Sequence, residues 1–171
     1  MDRQQRVTLM IIKKATTKEA DLLVHFIKKL ADYEQFPYEV TVTSDDLREN
    51  LLSASSTAEA ILLYEKGQPC GFAVYYYTFS TTTGKRGLHL DDLFIEPKYH
   101  GQGLGKQVLA YLSKLADKNN CARFEWWALK SNMPAIKFYE RIGASQLDEL
   151  LVFRLNEKEI SDLANAELLV S

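Results

Sequence analysis

Two groups of residues in this chain have types and spacing suited to chemistry. The first is Gly101-Gln102-Gly103-Leu104-Gly105-Lys106, where glycine recurs at every second position ahead of an amphipathic stretch. Residues without a Cβ let backbone N–H groups approach a ligand closely. A helix starting there adds unsatisfied N–H groups and the positive end of its dipole. Together these suit a pyrophosphate, and Lys106 supplies a cation nearby. The spacing excludes two other phosphate loops. A Walker loop needs Ser or Thr after its lysine, but Gln107 follows Lys106, and the GxGxxG fingerprint needs a glycine that is missing. For the loop taken by itself, a plain strand–helix turn stays as the alternative. The second group is Asp91-Asp92, two adjacent acids in the otherwise apolar run Leu88–Ile95. Buried unpaired acids are rare, so the pair marks either a solvent-facing strand end or a place where charge is used. In a regular strand their side chains point to opposite faces, which lets one at most face a given ligand.

Alternating strands and helices must position these residues. Strand-like runs rich in β-branched, aromatic and leucine residues cover Met10–Lys13, Ala60–Glu65, Cys70–Phe79, Leu88–Ile95, Arg123–Ala128 and Leu150–Leu155. The KGQP turn at Lys66–Pro69 predicts a hairpin, and Thr81–Gly87 a second turn. Helical spacing covers Thr17–Tyr33, Ser44–Leu52, Gly103–Lys118 and Asn132–Arg141. The first has Thr16 or Thr17 as N-cap and Leu22, Leu23, Phe26, Ile27 and Leu30 on one face. The last has Asn132 as N-cap, Pro134 in its first turn and Gly143 just past its end. Hairpins exclude an all-parallel sheet, so the class is α/β with a mixed sheet.

The 171 residues suffice for one domain with a core, expected over residues 10–171, with residues 1–9 a flexible extension. A composition 46% hydrophobic and 26% charged is that of a globular chain. A formal net charge of -2 offers no nucleic-acid surface. Cys70 and Cys121 form no Cys/His cluster, so no metal site is expected, and two free thiols suggest a reducing, cytoplasmic setting. The N-terminal residues do not read as a signal peptide, and no run approaches a membrane span.

The loop His100-Gly101-Gln102-Gly103-Leu104-Gly105 resembles the acetyl-CoA signature of the GNAT acetyltransferase superfamily, Gln/Arg-x-x-Gly-x-Gly/Ala, with His100 where Gln or Arg is usual. LADYE at Leu30–Glu34, GFAVYYYTFS at Gly71–Ser80, LDDLFI at Leu90–Ile95 and NMPAIKFYERIGAS at Asn132–Ser145 resemble, in order and spacing, the diamine/polyamine (spermidine/spermine-like) branch. The resemblance runs from about Met10 to Leu155. It implies a GNAT fold: a mixed, mostly antiparallel twisted sheet of six to seven strands, helices on both faces, and a splayed parallel pair, Leu88–Ile95 and Arg123–Ala128.

What the resemblance implies for function is N-acetyl transfer from acetyl-CoA to a primary amine by direct attack in a ternary complex, with coenzyme A as product. The cofactor would contact Leu93, Phe94 and Ile95, the loop residues Gly101, Gln102, Gly103, Leu104, Gly105 and Lys106, and Asn132, Pro134 and Ala135. Backbone groups of Leu93 and Ile95 would pair with the pantetheine amides. Tyr139 matches the family's general acid for the coenzyme A sulfur; by periodicity alone it reads as a core aromatic beside Phe138. Tyr33, Glu34, Asp91, Asp92, Glu125, Trp126 and Trp127 match residues lining the amine site, where acids hold an alkyl ammonium and aromatic walls can help. Polyamine enzymes of the branch carry an acid shortly before the final strand; the ungapped position here is Leu151, with Glu149 nearby. The acceptor is therefore as well a diamine, lysine or thioether lysine analogue as a polyamine. The family also implies a homodimer, to which the apolar tail Leu163–Val170 would contribute. Acetylation of a protein lysine or N-terminus, and a catalytically silent acyl-CoA-binding module, are the alternatives.

Overall fold

The computed structural model describes residues 10–166. Residues 1–9 and the second half of the expected apolar tail, 167–170, lie outside them. The chain divides into two compact units, Met1–Leu129 and Lys130–Ser171.

The first unit is built on one five-stranded sheet in the order β1-β2-β3-β4-β5. The strands are β1 (Ile11–Lys14), β2 (Ala58–Glu65), β3 (Gln68–Ser80), β4 (Lys85–Ile95) and β5 (Arg123–Trp126). The first three pairings are antiparallel and β4·β5 is parallel. Lys66 and Gly67 both take left-handed backbone angles, which closes the expected β2–β3 hairpin in two residues. At Gly71 a Cβ would lie 2.1 Å from the Phe94 carbonyl oxygen, so only glycine lets β3 and β4 approach this closely.

Helix α1 (Ala20–Tyr33) follows a short 3-10 turn capped by Thr16, whose hydroxyl pairs with the Glu19 carboxylate at 2.6 Å. Its buried Leu23 and Phe26, with Leu47 of α2 (Ser44–Asn50), pack on Ala60, Leu62, Phe72, Val74 and Phe94, which share one face of the sheet. Phe26 stacks on Phe72 at 6.3 Å and tilts against Phe94 at 6.1 Å. Truncating such a fully buried phenylalanine costs about 3–5 kcal/mol. Helix α3 (Leu104–Lys118) buries Leu104, Val108, Leu109, Leu112 and Ala116. Its Tyr111 is felt electrostatically by Tyr75, which alternates with Val74 and so faces away from α1. Helices therefore cover both faces.

The second unit holds α4 (Met133–Arg141) and α5 (Glu157–Ala164). Asn132 caps α4, accepting from the Ala135 N–H at 3.3 Å, and Gly143 follows its end at φ +94°. Two expectations are corrected here. The run Leu150–Leu155 is not a strand, which leaves five strands among the described residues rather than six or seven. A strand is defined by its ladder, and an apolar run with no neighbouring strand to pair with does not make one. Helix α5, opened by an Asn156–Glu159 capping box, was not expected from the periodicity.

Candidate active site

Strands β4 and β5 run in register only from Gly87↔Arg123 to Leu90↔Trp126. Beyond that point β4 continues to Ile95 while β5 has ended. The Glu96 N–H bonds the Cys70 carbonyl on the β3 side at 2.9 Å. By alternation, the backbone groups of Leu93 and Ile95 face the opposite edge, which β5 has left open. An open strand edge is a ready partner for an amide-bearing arm. The Ile95 carbonyl on this edge already accepts from the His100 ring Nε2 at 2.7 Å. Phe94 turns its ring into the core under α1 and its carbonyl toward Gly71.

The β3–β4 register shifts between Val74 and Tyr75, whose partners are Asp92 and Leu90. Asp91 is thus an extra residue, a bulge. Counting alternation from His89 puts Asp91 on the face of Tyr76, and counting back from Phe94 puts Asp92 on that same face. Both acids therefore lie on the α1 side, correcting the expectation of opposite faces. Their charges agree with this: Asp91 raises the Tyr76 phenol, after burial, and raises Asp92 as well.

The C-terminal end of α1 reaches this place. Tyr33 sets its ring edge-on to Phe94 at 6.4 Å and to His100 at 5.9 Å, and stays half exposed. The adjacent Glu34 is raised by burial. Burial pushes the half-buried Asp92 up to about 6, with the charges of Asp91 and Glu34 adding to the effect. Glu34, Asp91 and Asp92, gathered at the negative end of the α1 dipole, suit a positive charge. By contrast, Glu96 is held low by Lys29 and Lys98; the Lys98 ammonium is 2.9 Å away.

After β4, a 3-10 turn at Pro97–Tyr99 leads to the glycine loop. Gly101 and Gly103 stand at φ +74° and +77°, with nothing within 4 Å of the position of a Cβ, and Gly103 is the N-cap of α3. Gly105 lies inside the first turn with ordinary helical angles. Leu104 anchors the turn in the core, while Gln102 and Lys106 are exposed. Gln102 donates weakly to the Lys98 carbonyl at 3.4 Å. The bare loop in front of a four-turn helix fits a pyrophosphate.

On β5, Glu125 is paired with Arg123 at 2.9 Å, which offsets its charge, and Trp126 packs on Phe124 at 5.0 Å. Trp127 is 60% exposed and meets His89 edge-on. In the second unit, Asn132, Pro134 and Ala135 form the start of α4, with Tyr139 on its last turn tilted against Phe138 at 5.4 Å.

Three residues went unread in the sequence. Tyr76 and His89 stack at 5.0 Å beside the acid pair. His89 lies two positions before Asp91, a spacing that places them on one strand face and could have flagged it. His100, noted only as a departure from the signature, ties the loop to the end of β4.

Comparison with known proteins identifies the family and the fold. The Acetyltransferase (GNAT) family matches residues 27–144. The thialysine N-epsilon-acetyltransferase of Sus scrofa is 29% identical over 82% of this chain and 86% of its own length. The Caenorhabditis elegans protein of that name is 27% identical over 90% and 96%. Among solved structures, an integron cassette protein of V. cholerae superposes with a TM-score of 0.77 at 28% identity, over 92% of this chain and 98% of that one. The chain belongs to the GNAT acetyltransferase family and is an enzyme. Its relatives place it with the thialysine and spermidine/spermine acetyltransferases.

Proposed function

We propose that this acetyltransferase moves the acetyl group of acetyl-CoA to a primary amine of a small cationic substrate: a diamine, a polyamine, lysine or a thialysine-like amino acid. The observation that carries the reading is the bulge at Asp91, which gathers Asp91, Asp92 and Glu34 on one face at the end of β4, just before the glycine loop. The relatives' substrates support it.

The first turn of α3, with Gly101, Gly103 and Lys106, would hold the pyrophosphate, and the open edge at Leu93 would hold the pantetheine arm. Acetyl-CoA brings an activated thioester carbonyl. Glu34, Asp91 and Asp92 bind and orient the ammonium, with Tyr33 and Trp127 as aromatic walls. Tyr139, by the family resemblance, gives a proton to the departing sulfur in a ternary complex. The chain would act in the cytoplasm, consistent with its two free cysteines, and as a homodimer, for which the exposed apolar run from Leu150 to Leu155 is available.

The test is thiol release from acetyl-CoA with diamines, polyamines, lysine analogues and lysine-containing peptides. Turnover is expected with small dications or lysine analogues and falls as the amine's second charge is removed. Turnover on peptides alone would overturn the small-molecule reading.

A further inference from the structure

Among the described residues, two buried side-chain polar atoms lack a hydrogen-bond partner: the Thr78 hydroxyl, opposite Gly87, and Nε2 of His89. His89 is 6% exposed. Its ring lies flat against Tyr76, with centroids 5.0 Å apart and planes at 29°, and takes the edge of Trp127 at 5.0 Å and 72°. Two aromatic rings thus fix the imidazole plane without satisfying its nitrogen. A buried ring nitrogen without a partner is a costly arrangement that calls for an explanation. Its place supplies one. His89 pairs with Tyr76 on one side and Glu125 on the other, one residue before β4 and β5 part, on the face that carries both acids.

We propose that Nε2 of His89 is the proton acceptor for the incoming amine. The inference rests on the amine-acetyltransferase reading above. The groups around the ring leave the role to it: Tyr76 is a phenol raised by burial and by Asp91, Glu125 is paired with Arg123, and Asp91 and Asp92 follow on the same strand face. Asp91 and Asp92 hold the ammonium. One ammonium N–H bond breaks, its electron pair stays on nitrogen, and the proton passes to Nε2, giving an imidazolium. The neutral amine attacks the thioester carbon, the C–N bond forms, and the C–S bond breaks with its pair on sulfur. A second amine proton reaches the sulfur by way of Tyr139, and the imidazolium returns its proton to water. One proton is released per turnover. For Nε2 to accept, the resting ring must carry its hydrogen on Nδ1.

Two measurements decide it. Only three histidines are present, so side-chain nitrogen NMR of the intact protein, with His89→Gln for assignment, reads the tautomer directly. The Nδ1–H form is expected, with an Nε2 shift on adding a diamine together with coenzyme A and none on coenzyme A alone. An Nε2–H tautomer, or no response to any amine that turns over, overturns the proposal. In kinetics, His89→Gln and His89→Phe should each lower kcat by about 100-fold or more, the range of a lost general base. Acetyl-CoA affinity should stay within about twofold. The phenylalanine variant keeps the ring stacking, so a purely packing role would spare it. Wild-type turnover with variants within about threefold of it overturns this inference alone. A wild-type protein that acetylates no amine overturns the underlying reading as well.

Discussion

Two helix ends at the end of β4 differ in sign and in construction. Helix α3 presents its N-terminus behind a glycine loop whose left-handed residues have open space where side chains would be. Helix α1 presents its C-terminus with Tyr33 and Glu34, close to two strand acids, the exposed Asp91 and the half-buried Asp92. The first end is built from backbone, the second from side chains. A pyrophosphate is common to every acyl-CoA and suits fixed N–H groups. An amine acceptor varies between enzymes and suits residues that can change without moving the backbone. On the proposed reading, the contrast separates an end built from backbone for an anion from an end built from side chains for a cation.

The largest expected effect leaves both ends bound and removes only proton transfer. Tyr139→Phe should lower kcat by about 100-fold to 1,000-fold, with acetyl-CoA affinity unchanged by calorimetry. Unchanged turnover would remove Tyr139 from the mechanism. Next is Gly103→Val, which forces a β-branched residue into a left-handed position at a strain of about 1–2 kcal/mol. Acetyl-CoA affinity should fall about 10-fold while the ratio of kcat/KM between two amines holds; a changed ratio would mean that the two ends are not separable.

Asp91→Asn should raise the KM of a diamine by about 5-fold to 10-fold and that of a monoamine less, with acetyl-CoA affinity intact. Equal effects on every amine would deny charge selection at the bulge. The smallest effect is on stability. The Asp92 carboxyl, raised from 3.8 to about 6, binds protons more tightly folded than unfolded. Its contribution to stability is present in full below about pH 3.8 and is lost as pH rises through about 6. Asp92→Asn should therefore raise stability at pH 7 by about 1–2 kcal/mol, allowing for its partial exposure, and leave it unchanged near pH 3.5. In the wild type, amine KM should fall as pH rises from 5 to 7, since ionised Asp92 is the form that holds an ammonium.

Much of this was legible because it depends on local chemistry. Glycines ahead of an amphipathic run, a KGQP turn, and Asn132 with Pro134 and Gly143 around α4 are signals confined to a few residues, and each is realised in the backbone. The long ordered resemblance supplied the family. What the apolar run Leu150–Leu155 could not supply was a neighbouring strand, and without one it forms no ladder.

The sequence by itself determined the class, the glycine loop and the presence of two adjacent acids. Only the tertiary structure decided where those acids point. A strand alternates by default, so Asp91 and Asp92 should part. The one-residue slip against β3 at Val74 and Tyr75 turns both to α1, beside Glu34 and His89. The slip depends on how two strands distant in sequence fit together, and no local periodicity contains that information.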